Sequence, residues 1–199
     1  MPKAYIHNDA WSKKAASEGY RARSVYKLME MDERFGLLKP GMHVLDIGAA
    51  PGSWLQYAGK RVGQQGMILG IDLKEIKHVG NNVKTRVCDL TDHASMHEAL
   101  ASVGWKTADL ILSDIAPNTS GIKDVDQWKS VELSRLVLDI ALKLLSPSGT
   151  LIMKVFRGKS FDEFTTDVRK HFPAMKVMSV SASRDRSREV YVLCFKRRK

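Results

Sequence analysis

Residues 44–54 read VLDIGAAPGSW. An apolar run carrying one acid, Asp46, turns through Gly48, Pro51 and Gly52 and resumes as an apolar segment. The pattern is that of a buried strand passing through a tight loop into a helix. In open α/β sheets, ligands sit at such loops, outside the carboxyl ends of the strands. The spacing is not the G-x-G-x-x-G of a dinucleotide site, and Pro51 removes a backbone N–H that a pyrophosphate would use. Two roles stay open for the glycines: tight-turn residues, or backbone bared to a ligand by the missing Cβ. Asp46 places negative charge beneath the loop, which suits an ammonium or sulfonium better than a pyrophosphate.

The same rhythm runs outward from this loop. SVYKLMEMDERFGLL (24–38) has apolar residues at helical spacing, with Ser24 as N-cap, and Lys39-Pro40-Gly41 breaks it. SWLQYAGKRV (53–62) reads as a helix ending at Gly63, and MILGID (67–72) and NVKTRVCD (82–89) read as strands. Thr91 is expected to open a helix through Leu100, and ADLILSD (108–114) is the most strand-like run of all. A polar loop, 114–126, leads to a helix from about Gln127 to Leu144. SPSG (146–149) is a turn, TLIMKVF (150–156) a strand, and SFDEFTTDVRKHF (160–172) an amphipathic helix stopped at Pro173. AMKVMSVSA (174–182) and REVYVLCFK (188–196) close the chain as strands with no helix between them. Strands alternating with helices predict an α/β domain, a mostly parallel sheet with helices on both faces. The closing pair has room only for a hairpin, so one edge strand should run antiparallel. Residues 1–19 read as a flexible basic arm and residues 20–199 as the domain.

The net charge of +10 is concentrated at the two ends, with +4 over residues 1–27 and +5 over residues 184–199. An almost neutral middle lies between them. If the ends converge, they form a surface able to track phosphates, with Arg21 and Arg23 within it. No apolar run approaches the ~20 residues that span a bilayer, and the first twenty lack a signal peptide's apolar stretch. Cys88 and Cys194 lie in apolar runs and are expected to be free thiols of a cytoplasmic protein. His93 and His97 stand four apart without a third ligand, so no metal is expected.

Two further strand-end acids sharpen the ligand. Asp72 closes the second strand, where an acid accepts hydrogen bonds from ribose hydroxyls. Asp89 follows the third, at the height of a base's exocyclic amine. With Asp46 and the glycine loop they describe a nucleoside with a cationic tail, and S-adenosylmethionine fits that description.

SEGYRARSVYKL (17–28), VLDIGAAPGSW (44–54), LSDIAPNTSG (112–121), LIMKVFRG (151–158) and SREVYVLC (187–194) stand in the order and spacing of one family. On these segments the chain resembles the FtsJ/RrmJ family of ribose 2′-O-methyltransferases over essentially its full length. The resemblance implies a Rossmann-like methyltransferase fold, a seven-stranded sheet with its last strand antiparallel. It implies S-adenosylmethionine as cofactor, and as substrate a uridine of 23S rRNA on an assembled or nearly assembled large subunit. The protein is expected to be a monomer. The family's Gly-Gly-Trp is Gly52-Ser53-Trp54 here. By motif, the resemblance assigns cofactor contacts to Gly52, Trp54, Asp72, Asp89 and Asp114. It assigns a catalytic set to Lys27, Asp114, Lys154 and Glu189.

Methyl transfer to a ribose hydroxyl needs in-line positioning and loss of a poorly acidic proton. Lys154 interrupts an apolar strand at its carboxyl end, where a charge has no structural purpose. It reads either as a base, with Lys27 and Arg157 disfavouring its charged form and Asp114 favouring it, or as a charge that orients the hydroxyl oxygen. Two further enzyme readings remain, a 2′-O-methyltransferase of tRNA or an mRNA cap and a nicotinamide oxidoreductase. From another class comes an RNA-binding assembly factor whose methylation is secondary.

Overall fold

A computed structural model describes residues 10–183 and 188–195. Seven strands form one sheet: β1 His43–Ile47, β2 Met67–Asp72, β3 Val83–Val87, β4 Ala108–Ser113, β5 Leu145–Phe156, β6 Ala174–Met178 and β7 Glu189–Phe195. Their spatial order is β3-β2-β1-β4-β5-β7-β6. The helices are α1 Ala10–Ser17, α2 Val25–Phe35, α3 Ser53–Val62, α4 His93–Ala101, α5 Lys123–Leu144 and α6 Phe161–His171.

Period-two alternation divides the apolar strand residues between two cores. Leu45, Ile47, Ile111, Leu151 and Met153 pack with α4, α5 and α6 on one face. Val44, Ile68, Leu110, Leu112, Ile152 and Tyr191 pack with α2 and α3 on the other. α2 stops where Gly36 adopts φ 60° and donates its N–H to Asp32 O, a cap that glycine takes without strain. The buried Asp32 carboxylate joins α2 to α3 by accepting from Leu38 N, Tyr57 Oη and Arg61 Nε at 2.8–2.9 Å.

Several boundaries differ from the sequence reading. Within the expected arm, residues 10–17 form α1, whose Ala15 is buried with Val25 and Tyr26; residues 1–9 lie outside the described residues. Asp92, not Thr91, caps α4, its side chain accepting from Ala94 N. α5 begins four residues before Gln127, at Lys123. SPSG bulges within β5, between the pairs Leu145–Ala108 and Thr150–Leu110. The antiparallel strand is not at the edge: β7 is inserted between β5 and β6, and β6 is the edge. A short connection sets the relative direction of the last two strands but leaves open which of them joins β5.

Candidate active site

Register assembles the site. Ile47 pairs with Ser113, and Ser113 with Met153. One residue further along, Gly48, Asp114 and Lys154 therefore line up at the carboxyl ends of β1, β4 and β5. Lys154 faces Tyr191 across the antiparallel pair, and Glu189 faces Phe156. Lys154, Glu189 and Tyr191 alternate toward the α2 side, where Lys27 waits one turn into the helix.

These residues converge on Asp114. Lys154 Nζ donates to Asp114 O at 2.5 Å and stands 3.1 Å from Oδ1. Tyr191 Oη donates to the same Oδ1 at 2.5 Å, and Lys27 Nζ lies 3.8 Å from it. Lys27 Nζ is also hydrogen-bonded to Glu189 Oε1. Burial pushes the Asp114 carboxyl up, but Lys154 and Lys27, with the Tyr191 and Lys154 hydrogen bonds, outweigh it and hold the group below the ordinary carboxylate range. Burial, then the Asp114 and Glu189 charges, push the Tyr191 hydroxyl well above its ordinary value. Asp114 is thus a fixed anion and Tyr191 a fixed donor. The sequence reading missed Tyr191; its signal was the two-residue spacing from Glu189 on one strand. Arg157 does not join the cluster and lies exposed over the Phe161 ring.

Beside the cluster is a cleft lined by Ser24, Asp46, Gly48, Ala49, Trp54 and Asp114. Asp46 is 2% exposed, and its Oδ2 has no hydrogen-bond partner. Burial, then Asp114 and Asp72, push its carboxyl well above the ordinary range. Burial of the unpaired oxygen favours the protonated carboxyl, and a cation in the cleft would favour the carboxylate instead.

The expected cofactor residues line this side of the sheet with different environments. Asp72 is held by two backbone donors, Ala50 N to Oδ2 and Lys74 N to Oδ1, each at 2.9 Å. Asp89 is exposed, with Oδ1 accepting from Thr91 N and Oγ1. Those hydrogen bonds lower its pKa. Trp54 is buried, and its Nε1 donates to Ser24 O at 2.7 Å. Ser53, standing where the family has glycine, opens α3 and bonds Ser24 Oγ at 2.9 Å.

The glycines resolve toward the turn. Gly48 and Gly52 have φ of 77° and 104°, and the space a Cβ would need is filled by protein. At Gly48 that neighbour is Ile115, and at Gly52 it is Arg21 Nη1, 2.8 Å away. Arg21 is therefore not laid out for phosphate. Its guanidinium donates to Pro51 O, Lys77 O and His78 O at 3.1, 2.8 and 2.6 Å, and its backbone N to Gln56 Oε1. It bridges the loops after β1 and β2. Of the C-terminal basic cluster, residues 184–187 and 196–199 lie outside the described residues.

A seven-stranded sheet in the order β3-β2-β1-β4-β5-β7-β6, with acids at its strand ends, defines a Rossmann-like methyltransferase. The family model for FtsJ-like methyltransferases matches residues 20–197, and the chain belongs to that family. It is 43% identical over 186 residues to ribosomal RNA large subunit methyltransferase E of Acinetobacter baylyi, covering 94% of this chain and 86% of that one. It is 45% identical over 194 residues to the protein of the same name from an Azoarcus species, covering 96% and 94%. The crystal structure of a Plasmodium falciparum protein described as a ribosomal RNA methyltransferase superposes with TM-score 0.81 at 29% identity, covering 90% of this chain and all of that one.

Proposed function

We propose that the protein transfers a methyl group from S-adenosylmethionine to the ribose 2′-hydroxyl of a uridine in 23S rRNA, on an assembled or nearly assembled large subunit. The observation that carries this reading is the convergence of Lys27, Lys154 and Tyr191 on Asp114 beside a cleft with an unpaired buried carboxylate. The names of the Acinetobacter and Azoarcus relatives support the substrate class.

The residues present fit the cofactor. Asp46 Oδ2 matches a positive charge, Asp72 keeps lone pairs for ribose hydroxyls, and Asp89 presents a carboxylate for a base amine. Gly52 and Trp54 shape the loop wall, and Asp114 joins cofactor cleft to catalytic cluster. When bound, S-adenosylmethionine supplies an electrophilic methyl group on sulfonium sulfur.

Lys154 Nζ directs N–H groups at Asp114 O and Oδ1 and keeps another donor for the hydroxyl oxygen. Held that way it guides the oxygen's lone pair rather than receiving a proton. Asp114 fixes Lys154, Tyr191 fixes Asp114, and Glu189 fixes Lys27, so the donors are ordered before substrate arrives. Methylation would release the hydroxyl proton to solvent, and the bonding pair of the broken carbon–sulfur bond would remain on the cofactor's sulfur.

The test is methylation with labelled S-adenosylmethionine of large subunits from cells lacking the protein, beside small subunits and tRNA. A single 2′-O-methyluridine in 23S rRNA is expected. Methylation of tRNA alone, or no transfer to any of the three, would overturn the reading.

A further inference from the structure

Three large apolar side chains stand in solvent at the start of α5: Ile122, Val125 and Trp128, exposed by 62%, 37% and 55%. Val125 and Trp128, three apart in α5, share a side of the helix, and Ile122 is the extended residue that precedes its first turn. This stripe is firmly built. The Asp126 carboxylate accepts from Ser120 N, Ser120 Oγ and Gly121 N at 2.6–3.1 Å, fixing the loop that runs on from Asp114. Gln127 is buried and occupies the space over Gly158, in the loop that follows β5. Ser134 Oγ donates to the carbonyl of Lys154 itself. The stripe is therefore tied to both segments that carry the catalytic cluster.

Its neighbours in the chain, and in the loop after β5 that Gln127 packs against, carry cations in excess: Lys123, Lys129, Arg157 and Lys159 against Asp124, Asp126 and Glu132, with Arg188 joined to that loop where its carbonyl accepts from Arg157 N. Glu132 is paired with Arg135. Asp124 is paired with Lys159, and Asp126 is used within the loop. An apolar protein partner would bury this positive excess without neutralising it. A single RNA strand satisfies both features, because bases stack on an indole while phosphates meet lysine and arginine.

We infer that this α5 stripe is a landing surface for single-stranded RNA flanking the target nucleotide, with the Trp128 indole stacking on a base. The inference rests on the RNA substrate proposed above. Ile122 and Val125 extend the platform, and Lys123, Lys129 and Arg157 hold the backbone along it.

The test compares wild type with Trp128→Ala and Trp128→Phe in the full chain. Binding of a short single-stranded RNA of mixed sequence is followed by fluorescence anisotropy, beside single-turnover methylation of large subunits. Trp128→Ala should weaken RNA binding about tenfold, while Trp128→Phe, which keeps a stacking face, recovers most of it. Cofactor affinity and melting temperature should match wild type in both. Unchanged RNA binding by folded Trp128→Ala overturns the inference. So does a defect seen with intact subunits but absent with RNA alone, which would make a ribosomal protein the occupant. If wild type methylates no large subunit, the functional reading fails instead, and the RNA-binding comparison still decides the stripe.

Discussion

Replacing Arg21 with alanine should weaken cofactor binding, although Arg21 touches no residue of the catalytic cluster. Its guanidinium holds three backbone carbonyls, one in the loop after β1 and two in the loop after β2. Hydrogen bonds from a charged donor are worth about 1.5–3 kcal/mol each. These lie at the surface where water competes, so about 1 kcal/mol each is the fitting scale. The truncation also empties the slot against Gly52, and both loops flank the cofactor acids. Loss of about 2–3 kcal/mol of loop organisation, expressed in binding, is roughly a 30- to 150-fold weaker Kd. Arg21→Lys, a point charge with no planar fork, should recover only part of that. Calorimetric titration with S-adenosylmethionine measures the effect, and the salt dependence of RNA binding provides the contrast. A phosphate contact would make that slope shallower by about one unit on removal, whereas a loop clamp leaves it unchanged. A shallower slope with unaltered cofactor affinity would refute the clamp and return Arg21 to the RNA surface.

Asp46→Asn should stabilise the free protein yet weaken cofactor binding. Because the folded carboxyl titrates well above 3.8, the native state holds a proton the unfolded chain has released, and stability falls as pH rises from about 4 toward the folded value. Melting curves of wild type and Asp46→Asn should diverge across that window, and parallel curves would remove the burial argument. Lys154→Ala should leave cofactor and RNA affinities near wild type while single-turnover methylation falls at least ~10²-fold. Lys154→Arg keeps a donor and a charge, so partial activity is expected from a guiding role, and complete loss would favour a proton acceptor. Tyr191→Phe should lower stability by about 1.5 kcal/mol in urea unfolding, the scale of one hydrogen bond to a charged group. An unchanged midpoint would show that the lysines alone hold Asp114.

The strands that carry the site were legible because they are short apolar runs closed by an acid or interrupted by a lysine, and both signals are local. VLDI, ADLILS and LIMKVF each lie in a strand, with Asp46 and Lys154 near its carboxyl end and Asp114 just beyond it. The glycines were ambiguous because a positive φ and a bared backbone leave the same residue in the sequence. Only the Ile115 and Arg21 contacts separate the two. Arg21 misled for a related reason: a guanidinium serves carbonyls as readily as phosphates, and its carbonyl partners lie 30–57 residues away. Tyr191 was hidden inside an apolar strand, where a tyrosine ordinarily reads as packing. The placement of β7 depended on which strand β5 accepts, a pairing 33 or more residues apart that no local pattern encodes. α1 escaped the sequence reading because AWSKKAAS has little apolar periodicity of its own, and its Ala15 is buried by Val25 and Tyr26, further along the chain.

The insertion of β7 between β5 and β6 also sets an order of events during synthesis. Every other strand is made before β7, so until it arrives β5 presents an unpaired, apolar edge, the kind of template to which foreign strands add. Over the same interval Lys27 lacks Glu189, its partner 162 residues downstream, and Asp114 lacks the Tyr191 hydroxyl. A nascent chain carrying β1 to β6 would therefore still lack two of the residues of the proposed catalytic cluster. The last strand to be made is thus the one that completes the ion pairs around Asp114.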